Sequence, residues 1–268
     1  MAIINKAGVT IPQVMEDLIQ FEYENNLVLG KFAYVDNTLV GAPGDTVTVP
    51  YCAPLSDAEE VAEGSALTPE ANSDSKITVT VKKAGKAVKM SQEAITSCAY
   101  DLKSQRRSEI GKAIARKVDA DLATELAKTT LTHSCEAGLT YADVVKARAL
   151  MGEEGFASNP ILVTNSKEYA KLAQTPEFIA AATEVADFGV TAAGVLVDMP
   201  VIVSDRIAEN TAFIFIPGSY ALVNKQFPTL YGDIDALTEE TVMSSFVHYA
   251  VKLPNTKRGV VKITTVGE

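Results

Sequence analysis

Histidine and cysteine are scarce in this chain. His133 and His248 are its two imidazoles, and Cys52, Cys98 and Cys135 its three thiols, in 268 residues. An odd number of widely spaced cysteines does not make a disulfide framework, so free, buried thiols are expected. His133 and Cys135 form a His-x-Cys pair that could supply two metal ligands. A structural zinc site takes four, and no second pair exists, so no metal is expected and both histidines read as structural. No apolar run approaches the roughly 18 residues of a membrane span. The first residues carry one Lys and no sustained apolar block, unlike a signal peptide. The chain is expected to be made in a cytosol, to stay there, and to avoid membranes.

Catalytic signatures are missing as well. Ser65 and Ser219 do not sit in a G-x-S-x-G elbow. The glycines at Gly189 and Gly194 lack the lysine of a phosphate-binding loop. Asp119 and Asp121, two apart on a helix, point in different directions and cannot share a proton. The reading is therefore of a protein that is not an enzyme and binds no cofactor.

What is present is a globular composition, 47% hydrophobic and 22% charged, with a net charge of −10 and a pI near 4.8. A chain this acidic does not grip nucleic acid electrostatically as a whole. Pro12 to Phe32 carries Val14, Leu18, Phe21 and Leu27 among acidic neighbours, as an amphipathic arm does. After a turn at Gly41–Gly44, residues 45–51 and 76–82 alternate strictly, with Val47, Val49 and Tyr51, then Ile77, Val79 and Val81, on one face of each strand. Between them Cys52 to Ser75 holds Asp57, Glu59, Glu60, Glu63, Glu70 and Asp74 and no Lys or Arg. So long a stretch without periodicity reads as an excursion from the body.

Ser91 is a candidate N-cap for a proline-free helix reaching about Lys128, with Ile110, Ile114, Val118, Leu122 and Leu126 on one stripe. Unbroken, it would run about 55 Å, against an expected radius of gyration of about 18 Å for a compact chain of this length. A flat, elongated body follows, unless the helix breaks near Tyr100 or Gly111. The middle third alternates helix and strand, including apolar strands at Asn159–Thr164, Leu196–Ser204 and Thr211–Ile216. Glu240–Leu253 and Val260–Val266 read as a closing hairpin around Pro254–Gly259. Lys82 to Lys128 holds eleven basic and six acidic residues, a net +5, which leaves −15 for the rest of the chain.

The order of these parts resembles the major capsid proteins of tailed bacteriophages with the Hong Kong 97-type α+β fold, which encapsulins share. The matching pieces are Gly44–Pro50, Val61–Gly64, Ile77–Lys83, Met90–Ala94, Lys117–Leu122, Ile161–Asn165, Ala193–Asp205 and Val260–Thr265. The resemblance implies an N-terminal arm (1–40), an extended β-hairpin loop (41–90) and a peripheral domain built on a spine helix (91–138). It further implies an axial domain (139–224) and a return to the peripheral domain through a C-terminal β-hairpin (225–268). Its members are virion proteins that form homo-oligomeric hexamers and pentamers of an icosahedral shell around double-stranded DNA, assembled in the host bacterial cytoplasm. The chain starts almost at the arm, so a separate or already removed scaffold is expected, along with a portal protein. No lysine lies between Cys52 and Ser75, so a loop crosslink is not carried over.

The residues add an expectation of their own. The acidic loop, chiefly Glu59, Glu60 and Glu63, should dock on the basic spine of an adjacent subunit near Lys103, Arg106 and Arg107. The competing readings are an encapsulin-like nanocompartment, a phage tail or decoration protein, and an α/β enzyme acting through the middle third.

Overall fold

The computed structural model describes residues 12–51, 75–136, 138–180, 183–185, 188–235 and 238–265, with residues 58, 60, 61, 66 and 69 besides. Helix α1 (Pro12–Asn26) leads through a 3-10 turn (Leu29–Phe32) into strand β1 (Tyr34–Asp36). Strands β2 (Thr46–Tyr51) and β3 (Ser75–Thr80) form a ribbon, and β4 (Lys82–Ser91) runs directly into α2 (Gln92–Ser97) and α3 (Leu102–Leu126). Then come β5 (Thr132–Cys135), α4 (Tyr141–Ala149), α5 (Glu154–Ala157), β6 (Ile161–Thr164) and α6 (Ser166–Leu172). Short strands β7 (Thr183–Val185), β8 (Val190–Ala192), β9 (Gly194–Leu196), β10 (Met199–Val203) and β11 (Thr211–Phe215) precede the long pair β12 (Ala221–Asp235) and β13 (Glu240–Lys252). β14 (Val260–Thr265) closes the described chain.

The long helix breaks where the sequence offers a second cap. Ser91 Oγ accepts the Ala94 N–H and starts α2; Asp101 Oδ1 accepts the Ser104 N–H at 3.1 Å and starts α3. Between them Cys98 is extended, so the continuous helix expected from Ser91 to Lys128 is two helices, the longer about 37 Å. Gly111 does not break α3. It lets α1 cross closely, because a Cβ there would lie 3.1 Å from the Ile19 carbonyl oxygen and the Glu22 Cβ. The expected stripe Ile110, Ile114, Val118, Leu122 and Leu126 is buried against this arm and against a sheet.

That sheet has the order β1-β12-β13-β4; a second, of six strands, runs β5-β14-β11-β6-β10-β9. The expected C-terminal hairpin does not form. β13 pairs with β12 and β4, whereas β14 pairs with β11 and β5 in the other sheet. Residues 254–259 are a crossover, held by Thr129 Oγ donating to the carbonyls of Thr256 (3.0 Å) and Val260 (2.7 Å). The true hairpin is β12–β13. Pro228 and Gly232 hide β12 in the sequence; Pro228 falls in a register shift, where the ladder needs no N–H from it. β4, placed by the sequence within the loop of 41–90, is an edge strand of the first sheet. The expected strand Leu196–Ser204 is likewise split, by a two-residue turn at Val197 and Asp198 (φ 53° and 57°).

β13 alternates cleanly. Met243, Ser245, Val247 and Tyr249 are buried towards α3; Val242, Ser244, Phe246 and His248 line the opposite, half-open face. There the Phe246 ring lies over Gly85, whose missing side chain makes room for it, with Lys83 Nζ 4.0 Å from the ring centroid. A second core packs α4 and α6 against the six-stranded sheet. Among the described residues no helix is long and apolar enough to cross a membrane.

Asp119, 2% exposed, ties arm, spine and sheet together. Its carboxylate accepts the N–H groups of Val28 (2.8 Å) and Gly30 (3.0 Å), and Tyr220 Oη donates to the Leu29 carbonyl (2.7 Å). Burial pushes the Asp119 carboxyl from 3.8 up to about 6, although those N–H groups favour the anion. The native state therefore holds this proton more tightly than the unfolded chain. Its contribution to stability, on the order of 3 kcal/mol, is full below pH about 4 and lost as the pH rises through about 6.

Two outcomes are expected. Asp119→Asn removes this titration, so the difference in unfolding free energy between wild type and variant changes between pH 4 and 7 in urea melts; parallel profiles would contradict the assignment. Asp198→Gly relieves a left-handed residue at an exposed turn and raises the unfolding free energy by about 0.5–1 kcal/mol. A lowered thermal midpoint would show that the Asp198 side chain matters more than its φ.

Candidate assembly surfaces

The basic segment of the sequence resolves into two halves with different partners. From Glu109 onwards along α3, cations meet acids of the same chain. Glu109 lies 3.7 Å from both Lys112 and Arg116, Asp121 binds Lys82 (2.8 Å) and Lys117 (3.0 Å), and Glu125 pairs with Lys128. Asp121 also accepts the Tyr249 hydroxyl. Burial works against its ionisation, but the bonds from Lys82, Tyr249 and Lys117 more than offset this and hold the carboxyl below its ordinary value. Three of these pairs have the i,i+3 or i,i+4 spacing of a solvated ion-pair face, and Lys82 joins from β4.

The start of α3, before Glu109, is different. Lys103 lies in the first turn of α3, and Arg106 and Arg107 in the second. Arg106 is exposed and the other two half-buried. Among the described residues none of the three has an ion-pair partner, and the buried Nε of Arg107 has no hydrogen-bond partner. The N-terminal end of a helix favours anions, so cations gathered there are unfavourable until an acid meets them.

The strands that flank the acidic segment Cys52–Ser75 form a built root. β2 and β3, the two alternating strands of the sequence, pair antiparallel with Val47 opposite Val79 and Val49 opposite Ile77. Val79 is buried with Leu39, Val223 and Ala250, and Lys225 Nζ bonds Asp45 Oδ1 (2.5 Å) and the Gly44 carbonyl (2.7 Å). That lysine holds the Asp45 carboxyl below its ordinary value. Of the three glutamates singled out in the sequence, Glu60 is exposed, while Glu59 and Glu63 lie outside the described residues. Among the described residues no ion pair joins the excursion to Lys103, Arg106 or Arg107 within the chain.

One pair visible in the sequence gains a third member in the fold. The His133–Cys135 pair, on the inner face of β5, meets Asp143 in the first turn of α4. His133 Nε2 lies 3.2 Å from Asp143 Oδ1, and Thr140 Oγ donates to Asp143 Oδ2 at 2.5 Å. Burial, then the Asp143 charge, pushes the Cys135 thiol up to about 12. The signal was the Thr140-x-x-Asp143 spacing, a capping box that turns the Asp side chain back over the helix start. Cys135 is a buried free thiol as expected, Cys98 is half-buried and free, and Cys52 lies outside the described residues.

Comparison with known proteins agrees along the chain. A family model described as phage capsid protein matches residues 74–263. The major capsid protein of Staphylococcus phage phiMR11 is 28% identical over 262 residues, covering 95% of this chain and 93% of its own. Among solved structures, the capsid of Ralstonia phage GP4 superposes with a TM-score of 0.69 at 10% identity over 88% of this chain and 87% of that one. The capsid of cyanophage P-SCSP1u gives 0.68 at 13% identity, over 90% and 89% of the two chains. A virus-like particle from Pyrococcus furiosus gives 0.65 at 14%, over 95% and 100%. The α+β architecture is the Hong Kong 97-type fold, and the chain belongs to the phage capsid protein family.

Proposed function

We propose that this chain is the major capsid subunit of a tailed phage. It assembles with copies of itself into the hexamers and pentamers of an icosahedral shell that encloses double-stranded DNA. The observation that carries this reading is the correspondence with a phage major capsid protein over 95% of the chain. The role is structural, and the place of the protein is the virion, built in the host cytoplasm with separate scaffolding and portal proteins. The arm (1–40), loop (41–90), peripheral (91–138 and 225–268) and axial (139–224) divisions supply the vocabulary. The sheets cross those lines, because β5 and β14 join the six-stranded sheet of the middle third.

The charge arrangement supports one contact in particular. Glu59, Glu60 and Glu63 of one subunit dock on Lys103, Arg106 and Arg107 of its neighbour. A single exposed pair contributes only about 0–1 kcal/mol, but the contact recurs at every copy of the interface. It weakens steeply with salt, since the Debye length falls from about 10 Å at 0.1 M to about 3 Å at 1 M. A second reading, an encapsulin-like cellular shell, is favoured by the full coverage of the Pyrococcus particle. Nucleic acid inside purified particles separates the two.

Negative-stain microscopy of the purified protein is expected to show closed icosahedral particles; persistent monomers in sedimentation would overturn the capsid reading. The double variant Arg106→Glu, Arg107→Glu is expected to remain soluble and fail to form shells. Adding Glu59→Lys, Glu60→Lys and Glu63→Lys to it should restore them. Normal shells from the double variant would sink the docking contact while leaving the capsid reading intact.

A further inference from the structure

His133, Cys135 and Asp143 offer an imidazole nitrogen, a sulfur and a carboxylate oxygen that all lie within 4.8 Å of one another. Two elements converge to make this set. In β5 the i,i+2 spacing turns His133 and Cys135 to the same, inner face, where Cys135 is 1% exposed. From α4, Asp143 reaches back over the helix start. The 3.2 Å between His133 Nε2 and Asp143 Oδ1 is close to the separation of two ligands on a tetrahedral ion with bonds of about 2.0–2.1 Å.

A second observation comes from charge. Glu168, in the first turn of α6, is almost fully buried, and its field reaches the Cys135 thiol. Its Oε1 takes Lys171 at 3.0 Å, but its buried Oε2 has no hydrogen-bond partner among the described residues. Two carboxylates, Asp143 and Glu168, thus act on one partly buried thiol, Lys146 opposes them, and Lys171 pairs only one oxygen of Glu168. Buried anionic groups are paired or coordinate metals.

We propose that His133, Cys135 and Asp143 bind one divalent transition-metal ion of the zinc class. The donor set, one soft sulfur, one imidazole and one hard oxygen, suits zinc better than magnesium or calcium, which take oxygen alone. On binding, the Cys135 S–H bond breaks, its proton leaves to water, and a metal–sulfur bond forms. His133 binds as the neutral imidazole through Nε2. Water completes the fourth position, and the Glu168 carboxylate adds negative charge whose field reaches the site. The ion then staples β5, an edge strand paired only with β14, to the start of α4.

The test uses the full chain, stripped with a chelator and titrated with Co²⁺ as a spectroscopic probe. A thiolate-to-cobalt charge-transfer band is expected, saturating at one ion per chain and displaced by Zn²⁺. The band should vanish in Cys135→Ser and persist in Cys98→Ser. His133→Gln and Asp143→Asn, changes at the half-buried rim with folding checked by circular dichroism, should weaken Co²⁺ binding at least tenfold. No band, a band undiminished in Cys135→Ser, or unchanged affinity in both folded rim variants would each overturn the site.

Discussion

Asp119 is a carboxylate with almost no access to water, set into the C-terminal half of the longest helix. From there it fixes the backbone at Val28 and Gly30, and the turn it fixes is bonded in turn by Tyr220 at the entrance to β12. Arm, spine and sheet are otherwise joined by apolar packing, which is non-directional and would let α1 slide along α3. The buried carboxylate supplies the direction. It costs desolvation, seen in the raised carboxyl, and gives one registration of arm against spine. The narrow gap at Gly111 works to the same end, since only a residue without a side chain lets α1 approach so closely there.

Around that point the molecule divides its charges by task. The C-terminal half of α3 satisfies its own cations, with Asp121 gathering Lys82, Lys117 and Tyr249 in one place. At the start of the helix Lys103, Arg106 and Arg107 have no ion-pair partner among the described residues, and they are opposite in sign to Cys52–Ser75, a segment that contains no base. A monomeric protein gains nothing from this arrangement. A protein that meets copies of itself does.

Much of the fold was legible because it depends on local pattern. The strands β2 and β3 followed from strict alternation, the buried stripe of α3 from its period, and the caps at Ser91 and Thr140 from residue type. What was not legible depends on contacts distant in sequence. The partner of β14 is β11, some 50 residues earlier, and nothing in Val260–Thr265 distinguishes that strand from a hairpin partner of β13. β12 was masked by Pro228 and Gly232, which signal turns locally and are absorbed here as irregularities in a long ladder. The role of Asp119 was equally hidden, because a helix pattern shows which way an aspartate points and not what lies there. The His133–Cys135 pair was visible; its third neighbour needed the fold.

On the proposed docking, the cations at the start of α3, without an ion-pair partner among the described residues, have a consequence for accuracy. Contacts made of many weak, screened charge pairs form and break readily, so a subunit that joins in the wrong orientation is released before its neighbours trap it. A subunit with one strong apolar patch would stick wherever it first landed. If Lys103, Arg106 and Arg107, which have no ion-pair partner among the described residues, make the proposed contact with a neighbouring subunit, early association is reversible, and reversibility lets a growing closed surface correct its own mistakes.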